Sequence, residues 1–144
     1  MATDTGLHVI TLPAELIQLE KALEFIRAII ASAACPMEIE QAIELVVEEI
    51  FVNIARYAYP ETEPGEVRIG CKLDQMSKPS RLMIAFADRG KPYNPLEHPD
   101  PDITAPIEKR QIGGLGILMV KRIMDTVQYE YVHGWNRLVI MKSW

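Results

Sequence analysis

The stretch from Ile39 to Tyr57 constrains the fold more than any other part of the chain. Ile39, Ile43, Val46, Ile50 and Tyr57 recur at the spacing of one helix face. At about 100° per residue, Gln41, Glu44 and Glu48 point away from that face, Asn53 falls within it and Glu49 lies at its edge. Glu49 and Asn53 are four apart, so they stack on one side of the helix. A carboxylate and an amide turned toward a core cost free energy unless something polar meets them. Something must therefore lie under this helix at that point.

Around this helix the chain reads in order. Leu7 to Leu12 is a short strand, and Pro13 can open a helix because its missing N–H is not needed there. Leu16, Leu19, Leu23, Ile26 and Ile30 trace the core face of that first helix. Pro36 opens the second, which Tyr59-Pro60 ends. Val67, Ile69, Cys71 and Leu73 alternate with Arg68, Gly70 and Lys72, as in a half-buried strand. Leu82 to Ala87 is continuously apolar, as in a central strand, and stops at Asp88. From Arg89 to Gln111 there is no clear periodicity and proline recurs; a loop of this length is usually functional or mobile. Gly113-Gly114-Leu115-Gly116 precedes a helix through Leu118, Ile123 and Met124. Val127 to Tyr131 alternates, His133-Gly134-Trp135-Asn136 is a hairpin turn, and Leu138 to Met141 returns. The order predicts an α+β two-layer sandwich, with helices on one face of a mixed, mainly antiparallel sheet.

Length and charge narrow the function. The 144 residues point to one compact domain over 1–144. The net charge of −5 argues against a nucleic-acid binder, and no run is long enough for a membrane span. The start, Met1 to Gly6, is not patterned as a secretion signal. Cys35 and Cys71 make neither a disulfide framework nor a metal site, and a reducing cytoplasm suits them.

Three small constellations carry chemistry, each with an ordinary alternative. Asn53 can offer magnesium an oxygen, and Glu49 can act as a base; equally, the two can be a hydrogen-bonded pair at a helix–sheet seam. Asp88 can accept an exocyclic N–H of adenine while Gly90 lets the backbone approach the ring; equally, Asp88-Arg89-Gly90 can be a plain turn. Gly113, Gly114, Leu115 and Gly116 open a helix whose N-terminus suits phosphate; equally, they can be a hinge. Lys109 and Arg110 can close on phosphates or simply be solvated. Tyr57, Tyr59, Trp135 and Trp144 read as packing, and Arg56 as a surface charge.

In order and spacing these constellations resemble the nucleotide-binding domain shared by gyrase B subunits, heat-shock chaperones, mismatch-repair ATPases and histidine kinases. Glu49-Ile-Phe-Val-Asn53 looks like its N box and Asp88-Arg-Gly90 like its G1 box. Gly114-Leu-Gly116 looks like its G2 box, with Pro95 to Gln111 as an ATP lid. Within that superfamily the chain is similar to the bacterial anti-sigma-factor serine/threonine kinases. The likeness is carried by Glu49 to Tyr59, Asp88 to Leu96, Gly113 to Asp125 and the terminal hairpin with Gly134 and Asn136. Pro92 departs from it, standing where many relatives have a second glycine.

The resemblance implies ATP and Mg2+ as cofactors and transfer of phosphate to a Ser or Thr of a small antagonist protein. It also implies sequestration of a sigma factor, and a homodimer. Glu49 would be the base, Asn53 the magnesium ligand and Asp88 the reader of adenine. Gly90, Gly113, Gly114, Leu115 and Gly116 would shape the nucleotide pocket, with Lys109 and Arg110 facing phosphate. An ATP-gated binding module without transfer, or an ATPase domain of a larger assembly, fits the same residues.

Overall fold

Leu82, Ile84, Phe86 and Asp88 share one face of a strand, and Val67, Ile69 and Cys71 continue that face on its neighbour. All seven are buried, because the helices cover this side. The computed structural model describes residues 6–97 and 115–144. Its elements are β1 (Leu7–Pro13), α1 (Leu19–Ile30), α2 (Met37–Tyr57), β2 (Glu66–Asp74), β3 (Arg81–Asp88), α3 (Leu115–Ile123), β4 (Thr126–Val132) and β5 (Trp135–Ser143). Short 3-10 turns lie at Leu16–Gln18 and Pro95–Glu97. The sheet order is β1-β2-β3-β5-β4. Every described pairing is antiparallel, so the two-layer α+β sandwich forms with no parallel pair in these strands.

The core lies between this sheet and the helices. Ile26 and Ile30 of α1 and Ile43, Val46, Val47, Ile50 and Phe51 of α2 meet Ile69, Ile84, Phe86 and Ile140. Each fully buried side chain of this size is worth roughly 1.5–3 kcal/mol of transfer free energy. Arg27 ties α1 to α2, reaching Glu44 at 2.6 Å and Glu20 at 2.7 Å. These two carboxylates raise its pKa, but the cluster is largely solvated and adds little stability.

Several local expectations change. Pro13 closes β1 instead of opening a helix; on an edge strand its missing donor is tolerated. Leu16, on the 3-10 turn, is 47% exposed and lies outside the core face of α1. The second helix does run to Tyr57, yet Tyr57 is 69% exposed and is no packing residue. It has the right angle on the wheel but sits in the last turn, past the cover of the sheet. The β4–β5 turn is His133-Gly134 alone, with φ of 51° and 85°. Positive φ at both positions is the geometry that continues a hairpin's twist. Trp135 and Asn136 therefore already belong to β5. The lid expected from Pro95 to Gln111 lies outside the described residues beyond Glu97.

Candidate functional site

Strand alternation puts Asp88 on the helix side at the very end of β3, opposite Asn136 of β5. Both are buried, at 6% and 7% exposure, and they are the buried polar pair of the described core. The Asp88 carboxylate spends one oxygen inside the protein. Oδ1 accepts the Gly90 N–H at 2.9 Å and the Asn136 Nδ2–H at 3.0 Å. Oδ2 has no partner among the described residues. Among the described residues the only sealed side-chain atom without a partner is Gln18 Oε1, so Asp88 Oδ2 reaches solvent. Burial pushes the Asp88 carboxyl above the usual range, and the bonds from Asn136 and Gly90 pull it back.

Asn136 serves the whole corner. Its Nδ2 also donates to the carbonyls of Gly90 at 3.3 Å and Lys91 at 3.0 Å. Its Oδ1 accepts the Tyr93 N–H at 3.0 Å and the Tyr129 hydroxyl at 2.5 Å. Gly90 is a glycine because a Cβ there would run into the backbone carbonyl of Ala58, just after α2. The close approach made by Gly90 is thus to α2. Tyr59 locks the other side: its hydroxyl donates to the Glu66 carbonyl at 2.5 Å and accepts the Arg89 N–H at 2.8 Å. Its ring fills the space a side chain at Gly65 would take. Tyr59 is the packing residue the sequence suggests, but its hydroxyl also joins three segments. A cleft of about 410 Å3 opens beside this corner, lined by Tyr57, Tyr59, Glu63, Arg89, Gly90 and Lys91 among others.

Glu49 and Asn53 form the second part of the site. The Asn53 Nδ2–H donates to Glu49 Oε1 at 3.2 Å. Asn53 is exposed and Glu49 half-buried, so the pair flanks the apolar face and is not aimed into the core. The centre of that face is Val47 and Phe51, both fully buried, which rotates Asn53 off it. What covers Glu49 is the first turn of α3: a Cβ on Gly116 would collide with the Glu49 carboxylate. With its nitrogen given to Glu49, Asn53 keeps its carbonyl oxygen without a partner among the described residues. Such an oxygen fits Mg2+, which takes one or two protein oxygens and keeps waters. Among the described residues no three His, Cys, Asp or Glu gather into a metal cluster.

Leu115 opens α3, and its C-terminal carbonyl at Ile123 is capped by Lys142 Nζ at 2.7 Å. Gly113, Gly114, Lys109 and Arg110 lie outside the described residues. The structure therefore brings Asp88 together with Gly90, and Glu49 together with Asn53 and Gly116. Neither Asn136 nor Tyr129 stands out as a site residue in the sequence: a turn over His133-Gly134-Trp135-Asn136 takes Asn136 off the strand, and Tyr129 reads only as part of an alternating strand. The available signal was the alternation Asn136, Leu138, Ile140, which places an asparagine on a buried face where it needs partners. Trp135 is not simple edge packing: Arg68 and Arg89 stack over its ring at 4.7 and 5.0 Å. Trp144 packs against the core and Arg56 is exposed, as expected.

Comparison with known proteins agrees with this fold. The sequence model described as histidine kinase-like ATPase domain matches residues 12–142. The serine-protein kinase RsbW of Oceanobacillus iheyensis is 28% identical over 113 residues, covering 70% of this chain and 62% of the relative. The serine/threonine-protein kinase BtrW of Bordetella bronchiseptica is 26% identical over 96 residues, covering 67% and 65%. The chain thus spans less than two thirds of the length of either relative. A crystal structure of the RsbU and RsbW domains of a Mycobacterium tuberculosis protein superposes with a TM-score of 0.64 at 14% identity. That superposition covers 96% of this chain and 32% of the other, and it supports the fold.

Proposed function

The chain belongs to the histidine kinase-like ATPase domain family, and from that premise we propose that it is an ATP-dependent protein serine/threonine kinase acting as a single domain in the cytoplasm. Its protein substrate is a small antagonist bearing an acceptor Ser or Thr, in a circuit where the same chain sequesters a sigma factor. The observation that carries the reading is Asp88: one oxygen committed inside the protein, the other open, on a strand end beside the helix that presents Glu49 and Asn53.

ATP supplies the phosphoryl group and Mg2+ offsets its charge. The chain's own residues do the rest. Asp88 Oδ2 accepts an N–H from the edge of the base. Asn53 offers its carbonyl oxygen to the metal. Glu49 takes the proton of the acceptor hydroxyl as that oxygen bonds to phosphorus and ADP leaves. Gly113, Gly114, Leu115 and Gly116 would serve the phosphates, with Lys109 and Arg110 as cations for them. Names of the curated relatives support the kinase reading.

A homodimer belongs to the same proposal. Its support is the sheet face turned away from the helices, where Leu7 and Val9 are 44% and 53% exposed. Gly70, Ala85 and Val139 continue the same row from Val9 across the sheet.

The test is incubation with labelled ATP, Mg2+ and candidate antagonist proteins, followed by mapping of the phosphorylated residue. Phosphate on a partner Ser or Thr upholds the kinase. A tight ATP-dependent complex without transfer replaces it with a binding module. Free phosphate with no partner replaces it with an ATPase domain.

A further inference from the structure

Between Asp88 and Tyr93 the chain must turn, and Pro92 has no N–H with which to close that turn. The backbone groups there find their partner in one side chain from another strand. Asn136 takes its hydrogen bonds to the Gly90 and Lys91 carbonyls and accepts the Tyr93 N–H, so its amide spans the turn on both sides of Pro92. The same amide holds Asp88 Oδ1. Its orientation is set by chemistry: the oxygen faces two donors, Tyr93 N–H and Tyr129 O–H, and the nitrogen faces three acceptors. Every polar position of the Asn136 side chain is therefore spent inside the protein, and none is left for a ligand.

We propose that Asn136 is the positioning residue that makes Asp88 a reader of the exocyclic amine of the base, acting through Asp88 and the 90–93 turn without touching the nucleotide. The inference rests on the reading of this corner as the ATP site. By occupying Oδ1, Asn136 leaves Oδ2 as the open acceptor and fixes the plane of the carboxylate. By holding the turn, it fixes where the base edge can lie. Tyr129 acts one step further out, since its hydroxyl helps keep the amide from rotating by half a turn.

A structural role and a positioning role predict different losses. The measurement is calorimetry on the full chain with ATP and with purine riboside triphosphate, which has the same ribose and phosphates but no exocyclic amine. The parent should prefer ATP by about tenfold, the size of one hydrogen bond to a charged group. Asn136→Ala should lower ATP affinity by about that factor and scarcely change the affinity for the analogue, so the preference disappears. Tyr129→Phe removes only a hydroxyl from a half-buried ring and guards against misfolding of the first variant; it should cut the preference about threefold.

Equal weakening of both nucleotides by Asn136→Ala, with the parental preference kept, overturns the proposal and leaves the ATP site standing. An unchanged preference in Tyr129→Phe, where Asn136→Ala does not fold, overturns it as well. A parent that binds neither nucleotide overturns the proposal and the ATP-site reading together.

Discussion

At one end of the candidate site, Asp88 and Asn136 are buried and bonded to each other, to Gly90 and to the turn that follows. At the other end, Glu49 and Asn53 share one contact of 3.2 Å near the surface, with the first turn of α3 against Glu49. The Asp88 corner is hydrogen-bonded within the protein with no ligand in place. The Glu49–Asn53 end holds its groups loosely, with one side-chain hydrogen bond between them. A prebuilt corner gives recognition without ordering cost on binding. A loose end lets charge be placed by the metal and phosphates themselves, and chemistry then waits for the correct ligand. The division predicts that changes in the corner act on fold and recognition, whereas changes at the loose end act on rate.

The sharpest way to break this comparison is Glu49→Gln. Shape and most hydrogen bonding remain, but the charge that takes a proton is gone. Phosphate transfer to the partner should fall about 10²–10⁴-fold, the worth of a positioned base. ATP affinity and melting temperature should stay near the parental values. Single-turnover transfer at the parental rate would remove Glu49 from the base role.

Two glycines test the difference in rigidity directly. A Cβ on residue 90 meets the backbone of Ala58, which cannot yield without moving α2. Gly90→Ala should therefore cost on the order of 2–3 kcal/mol in urea unfolding. A Cβ on residue 116 meets the Glu49 side chain, which can swing aside. Gly116→Ala should cost less than about 1 kcal/mol of stability while slowing transfer, because Glu49 is displaced. Equal destabilisation by the two would show that both ends are equally rigid.

Asp88→Asn separates recognition from stability within the corner. Losing the charge-assisted bond should weaken ATP binding by about 1–2 kcal/mol. The fold should not suffer. Burial raises the Asp88 carboxyl in the folded state above its unfolded value near 3.9. The folded state therefore binds more protons in that window, and stability falls as pH rises through it. The penalty of the buried charge is absent below the unfolded pKa and complete above the folded one. At neutral pH the Asp88→Asn protein should melt no lower than the parent, and the gap should narrow toward acid. ATP affinity of the parent should drop as pH falls through the same raised pKa. A lower melting point for Asp88→Asn at neutral pH would mean that the ionised carboxylate stabilises the corner.

The sequence made the two-layer architecture legible, because β2 alternates cleanly and α1 and α2 carry long apolar faces. Asp88 and Gly90 were legible as a strand end, and Glu49 and Asn53 as neighbours on one helix side. The corner itself was not. Asn136 and Asp88 are 48 residues apart and meet only because β5 inserts beside β3. The reason for Gly90 was equally hidden: Ala58 lies on a different element, and the need for glycine comes from α2. The wheel on α2 also placed Asn53 too deep, because it gave weight to Tyr57 and none to Val47 and Phe51. A wheel reports angle alone, whereas cover depends on what lies beneath each turn.

The smallest expected effect on the fold is the most direct check on the loose end. Asn53 is exposed, and among the described residues its one hydrogen bond is donated to a carboxylate that is itself partly solvated. An exposed pair of this kind contributes little, so Asn53→Ala should change unfolding free energy by no more than about 0.5 kcal/mol. Its carbonyl oxygen matters only when a cation is present. The increase in ATP affinity that Mg2+ produces should therefore shrink in Asn53→Ala, while affinity measured in EDTA stays parental. Calorimetry with and without Mg2+ reads both. If the variant loses affinity equally in EDTA, Asn53 supports the nucleotide or the helix and not the metal. If it unfolds well before the parent, the N-box end is as built-in as the Asp88 corner, and recognition and chemistry are not divided between the two.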